Sequence, residues 1–158
     1  MNVQPVSAHV ANGVLRGSSS DLYFDFWRLN YEVLRIQPKK YPEVIEIDGS
    51  LKSLQKEVAG PIQAVYPWDD PVALICNEEG KLIGVSFNRI LMDADGTPTD
   101  VIAGTFLIVG LTEDDFGDLS QEYIDKYEKL FHQPEKFWHE IDERGRTHLK
   151  IDCCDPEE

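Results

Sequence analysis

Cations are the scarce charge in this chain. Its 158 residues hold 15 Lys and Arg against 29 Asp and Glu, a net charge of −14. A field of that sign repels nucleic-acid backbones and anionic lipid surfaces, so direct binding to DNA, RNA or a membrane is not expected. Long apolar runs are missing too: none approaches the ~20 residues that a membrane-crossing helix requires. The N-terminus lacks the basic segment and apolar core of an export signal. Cysteine is sparse: Cys76, Cys153 and Cys154 are odd in number and without framework spacing, which predicts free thiols in a reducing cytoplasm. Catalytic signatures are lacking as well. There is no GxGxxG, no GxxxxGKS, and no nucleophile elbow around Ser50. Cys76 ends an apolar run and reads as an inert buried thiol. The expectation is a protein that is not an enzyme and carries no cofactor.

The best-punctuated stretch runs from Ile45 to Pro67. Ile45 and Ile47 flank Glu46, the period-two signature of a strand. Asp48-Gly49-Ser50 supplies turn and N-cap chemistry. Leu51, Leu54 and Val58 then fall on one face of a helix of about ten residues. Gly60 stands where a left-handed residue ends a helix, and Pro61 cannot continue it. Ile62, Ala64 and Tyr66 resume the strand pattern.

Around this unit, Tyr31–Ile36 and Glu43–Ile47 predict an antiparallel hairpin. Val72–Cys76 (VALIC) reads as a buried central strand, with Leu82–Val85 pairing back to it across the turn at Gly80. Asn88 to Leu91 reads as a helical turn, and Asp93 to Pro98 as a polar loop. Val101–Leu111 predicts the central strand of the sheet, bent at Gly104. Ser120 caps a helix to about Phe131 with Ile124, Tyr127 and Phe131 buried. Glu122 with Lys126, and Asp125 with Lys129, stand at favourable ion-pair spacing. Gln133-Pro134 predicts a further short helix through Glu140. Residues 1–30 read as an extension with an aromatic cluster at Tyr23, Phe24, Phe26 and Trp27. Residues 31–151 read as one domain and residues 152–158 as a frayed acidic tail. The expected class is α+β: a mainly antiparallel sheet of five or six strands, covered on one face by two helices.

IDGSLKSLQKEVAGPIQAVYP, DDPVALICNEEGKLIG, Asn88-Arg89 and DVIAGTFLIVGL, in that order and spacing, resemble the domain-of-unknown-function family DUF3846. The resemblance spans roughly Val33 to Leu130. It implies an accessory protein of phages and integrative elements, and no particular chemistry. The family has Gly-Gly where this chain has Ala59-Gly60. It usually begins near Tyr31, so residues 1–30 lie outside its usual extent.

Charge carries the remaining clue. Residues 1–68 hold seven acids and seven Lys or Arg, whereas residues 69–158 hold 22 acids and eight. Glu113, Asp114, Asp115, Asp118, Glu122, Asp125 and Glu128 are expected to form an acidic surface for a host protein with a basic patch, an anti-defence or polyanion-mimic role. The alternative is a small-ligand, nucleotide-like binding module that uses the loop 86–99, with Asn88, Arg89 and Asp100 around the ligand. Metal binding is not expected. Asp93-Ala94-Asp95-Gly96 brings its glycine too early for a calcium loop and reads as an Asx turn. His132, His139 and His148 are too widely spaced for zinc.

Overall fold

In a computed structural model, residues 30–157 are described. The expectations for residues 1–29, the aromatic cluster included, lie outside the described residues. Among the described residues, ten strands and two helices follow in the order β1 (Tyr31–Ile36), β2 (Glu43–Ile47), α1 (Leu51–Val58), β3 (Ile62–Val65), β4 (Val72–Asn77), β5 (Phe87–Met92), β6 (Pro98–Ala103), β7 (Phe106–Leu111), β8 (Phe116–Gly117), α2 (Gln121–Leu130), β9 (Glu135–Ile141) and β10 (Thr147–Cys153). The class is α+β, with a six-stranded sheet of order β2-β1-β7-β4-β3 in which β8 also pairs with β7. Every pairing in it is antiparallel.

The core follows from side-chain alternation. Leu34, Ile108 and Leu74 are aligned across β1, β7 and β4 and face one side. Leu107, Val109, Ala73 and Ile75 face the other. Leu54 and Val58 of α1 close the second side, whereas Ile124 and Tyr127 of α2 close the first. The two helices therefore lie on opposite faces, not together on one. Coverage of both faces is why β4 is buried at all six positions and why its sequence is a continuous apolar run.

Helix α1 begins as its sequence predicts: Ser53 N–H donates to Ser50 Oγ at 3.0 Å. It ends differently. The left-handed residue is Ala59, at φ 62°, not Gly60. Gly60 N–H donates to Gln55 O and Ala59 N–H to Lys56 O, which closes a Schellman motif. Asn77 explains the glycine that follows. Its Nδ2 donates to Val58 O and Ala59 O, tying off the last carbonyls of the helix. A Cβ on Gly60 would lie 2.6 Å from that same Nδ2.

Three other expectations change. Leu82–Val85 forms no strand; it lies in a turn with Leu82 86% exposed, because β7 and β3 already occupy both edges of β4. Val101–Leu111 is two strands, not one bent strand. Gly104 adopts φ 79° between β6 and β7, sending β6 off to pair with β5 as a separate hairpin. Asn88 to Leu91 belongs to β5 and is not helical.

The end of the chain departs further. The segment expected to be helical after Pro134 is β9, which pairs with β10 as a two-stranded ribbon. Phe137 and Trp138 carry strand propensity that overrides the helix-start signal of Gln133-Pro134. Residues past 151 are held, not frayed: β10 runs to Cys153, Cys154 N–H donates to Pro134 O, and Glu157 N–H donates to Lys39 O.

Candidate functional site

Asn88 and Arg89 are buried charges and amides inside an apolar hairpin, 0% and 1% exposed. A register shift in β5 between Phe87 and Arg89 allows both to turn inward. Asn88 Nδ2 donates to Ile36 O and Gly104 O, each at 2.8 Å. Arg89 Nε donates to Phe131 O at 3.1 Å, Nη1 to Asn88 O and Oδ1, and Nη2 to Lys40 O at 2.7 Å. Four of the five guanidinium N–H groups are thereby consumed by the fold. Burial pulls its pKa below the ordinary arginine value, with Glu135 opposing. Asp100, expected beside Arg89, instead pairs with Lys81 at the surface. Asn88 and Arg89 form one polar staple joining the β1–β2 turn, the β5–β6 hairpin and the end of α2. Asp100 has no part in it.

Beside the staple lies a groove of about 810 Å³ between α2, the β5–β6 hairpin and the β9–β10 ribbon. Aromatic rings floor it. Trp68 lies 4.5 Å from Tyr127, the rings tilted by 45°, and meets Phe131 edge-on at 5.9 Å. Met92 and Leu130, 50% and 57% exposed, add apolar wall. Four carboxylates line the groove, Asp69, Asp70, Asp93 and Glu135, against two cations, Arg89 and Lys126. Both cations are engaged: Arg89 by carbonyls, Lys126 by Asp70. Tyr127 hydroxyl also donates to Asp70, at 2.6 Å. Hydrogen bonds from Lys126 and Tyr127 hold the Asp70 carboxyl below the usual carboxylate range. Burial pushes Glu135 up, opposed by the Ile90 N–H that it accepts at 3.1 Å and by Arg89. The groove thus favours cations over anions.

The seven acids do not make one surface. Asp114 and Asp115 line a cleft on the α1 side, beside Leu51 and Phe116. Glu122, Asp125 and Glu128 are carried by α2, on the opposite face. Asp115 is buried, and its Oδ1 accepts from Phe116 N–H at 2.8 Å. Asp118 Oδ1 accepts from Glu32 N–H at 2.8 Å, fastening the start of β1. Lys126 reaches Asp70 rather than Glu122, while Asp125 accepts from Gln121 and Glu128 pairs with His132. Glu113 is exposed in the connector between the two groups.

Asp93 Oδ1 accepts from Asp95 and Thr97 N–H groups, both at 2.9 Å, the Asx turn that its spacing implies. Among the described residues no group of His, Cys, Asp and Glu is arranged to hold a metal ion. No described helix is long and apolar enough to cross a membrane. Sequence reading missed the groove residues Trp68, Tyr127, Met92 and Glu135. The only signal for them was Trp68 between Pro67 and Asp69, an aromatic stranded in a polar turn.

The fold and the groove define a small α+β domain built on an antiparallel sheet, helix-covered on both faces. The chain belongs to the family described as "Domain of unknown function (DUF3846)", whose model matches residues 31–132. No curated protein and no solved structure matches it.

Proposed function

We propose that this protein is a non-enzymatic accessory protein of a phage or mobile element, working in the cytoplasm by binding a host protein. The contact region is the aromatic groove, which takes a basic segment of the partner, and not a continuous acidic row over residues 113–128. One observation carries this reading: the groove combines an apolar floor with four carboxylates, while its two cations are already engaged by carbonyls and Asp70. A Lys or Arg side chain entering there meets Trp68 and uncompensated carboxylate charge. The net charge of −14 adds long-range attraction and speeds encounter.

The nucleotide-like alternative needs an anion anchor at Arg89, whose donors are largely consumed. A thermal-shift series separates the two. Peptides of alternating Lys or Arg and aliphatic residues should raise the melting temperature, and Trp68→Ala with Asp69→Asn should abolish the rise. Stabilisation by nucleotides with none by basic peptides would overturn the reading.

A further inference from the structure

The groove opens along the edge of a strand. Arg89, Ile90, Leu91 and Met92, consecutive in β5, all line it. Successive side chains of a strand point to opposite faces, so a concavity that touches every residue runs beside the backbone. Among the described residues β5 pairs with β6 alone, which leaves its other edge unpaired. Hydrogen bonds fix which groups that edge presents. Asp93 N–H donates to Thr97 O at 2.9 Å and Thr99 Oγ1 to Leu91 O at 3.3 Å, so Leu91 and Asp93 turn their backbone toward β6. Pro98, opposite Met92, has no N–H to give. The irregularity between Leu91 and Met92 inserts Thr99 on the β6 side and leaves the alternation of β5 intact. Alternation therefore turns the N–H and C=O of Met92, and those of Ile90, away from β6. Ile90 bears this out: its N–H donates to the groove-lining Glu135 carboxyl at 3.1 Å. Other edges are guarded: β2 carries Glu43 and Glu46, β3 lies between Pro61 and Pro67, and β6 starts at Pro98. Ile90, Leu91 and Met92 bring no charge and no proline, and Met92 is 50% exposed.

We propose that the partner's basic segment binds as an extended third strand, paired with the free edge of β5 through the backbone N–H and C=O of Met92. This rests on the reading that the groove takes a basic segment, and it adds the mode of binding. Main-chain pairing supplies affinity without regard to sequence, and side chains supply selectivity. A strand alternates its two faces, so a segment alternating cationic with aliphatic residues offers one set to Asp69, Asp70 and Asp93 and the other to Trp68, Met92 and Leu130. Glu135 keeps the Ile90 N–H and so marks one end of the added strand.

The test is amide hydrogen exchange of the full chain with a capped peptide of Lys-Val repeats. Saturating peptide should slow exchange at Met92 N–H about tenfold or more. The same peptide N-methylated at every residue keeps its charge and side chains and should bind about tenfold more weakly or worse. Met92→Pro removes only the outward N–H, at an edge position that proline tolerates, and should weaken binding about fivefold. The exchange measurement needs no variant and decides the matter if Met92→Pro fails to fold. Binding without slower exchange at Met92, equal binding by the N-methylated peptide, or undiminished binding by folded Met92→Pro would each overturn strand addition while leaving the groove a site for basic peptides. No binding by the unmodified peptide would overturn both readings. A Met92 amide already protected in the peptide-free chain, whether by a second copy or by residues 1–29, would overturn strand addition as well.

Discussion

Replacing Arg89 by Met decides whether this buried guanidinium holds the fold or waits for a ligand. Methionine fills similar length without donors, so no large cavity confounds the result. The change leaves Phe131 O, Lys40 O and the Asn88 side-chain oxygen without their donor. At about 1 kcal/mol per orphaned acceptor, the loss is roughly 3 kcal/mol. That is a large share of the ~5–15 kcal/mol typical of a domain, and corresponds to a fall in Tm of about 6–12 °C. Arg89→Lys keeps the charge but reaches only one acceptor cluster, so it should lie between wild type and Met. Urea unfolding followed by tryptophan fluorescence measures both, Trp68 lying beside Tyr127 at 4.5 Å. A Met variant within about 0.5 kcal/mol of wild type would refute the staple and return Arg89 to the role of ligand anchor.

Further outcomes are expected. Ala59→Gly should stabilise by roughly 0.5–1 kcal/mol, because the left-handed conformation at an exposed Ala costs more than the added chain entropy of Gly. Gly60→Ala should destabilise by about 1–3 kcal/mol through collision with Asn77; equal signs for the two variants in a urea series would refute this account of the helix end. Glu135 holds its proton to higher pH folded than unfolded, so its contribution is full below the unfolded pKa and is lost as pH rises through the folded one. Glu135→Gln should therefore gain stability relative to wild type at pH 7 and little at pH 4, and a gain that does not depend on pH would contradict the cause assigned. Binding of a basic peptide should weaken as ionic strength rises past ~0.1 M, and salt-independent affinity would exclude electrostatic recognition.

The hairpin β1–β2, helix α1 and strand β3 were legible because each joint carries its own chemistry: Pro42 before β2, Ser50 as a cap, Pro61 as a stop. The helix faces were not read, though the signal was present. VALIC and FLIVGL are continuous rather than alternating, and a strand buried on both sides needs a cover on each. β5 was hidden because Asn88 and Arg89 interrupt its apolar pattern, and what they satisfy, carbonyls 16 to 52 residues away, leaves no trace in local sequence. The acidic row failed for a geometric reason. Neighbours in sequence from Glu113 to Glu128 cross from one face to the other at β8, which pairs with the end of β7 beside the start of β1, so the early members end on the α1 side and the later ones on the other.

The walls of the groove come from two stretches of the chain. Trp68, Arg89, Met92 and Tyr127 fall within the segment shared with the family, residues 31–132, whereas Gln133 and the ribbon residues Glu135 and Cys153 lie beyond it. A relative that matches only over the shared segment keeps the floor and one flank without inheriting this rear jaw. Under the proposed function, the terminal hairpin is then the part of the groove that sets selectivity apart from the scaffold beneath.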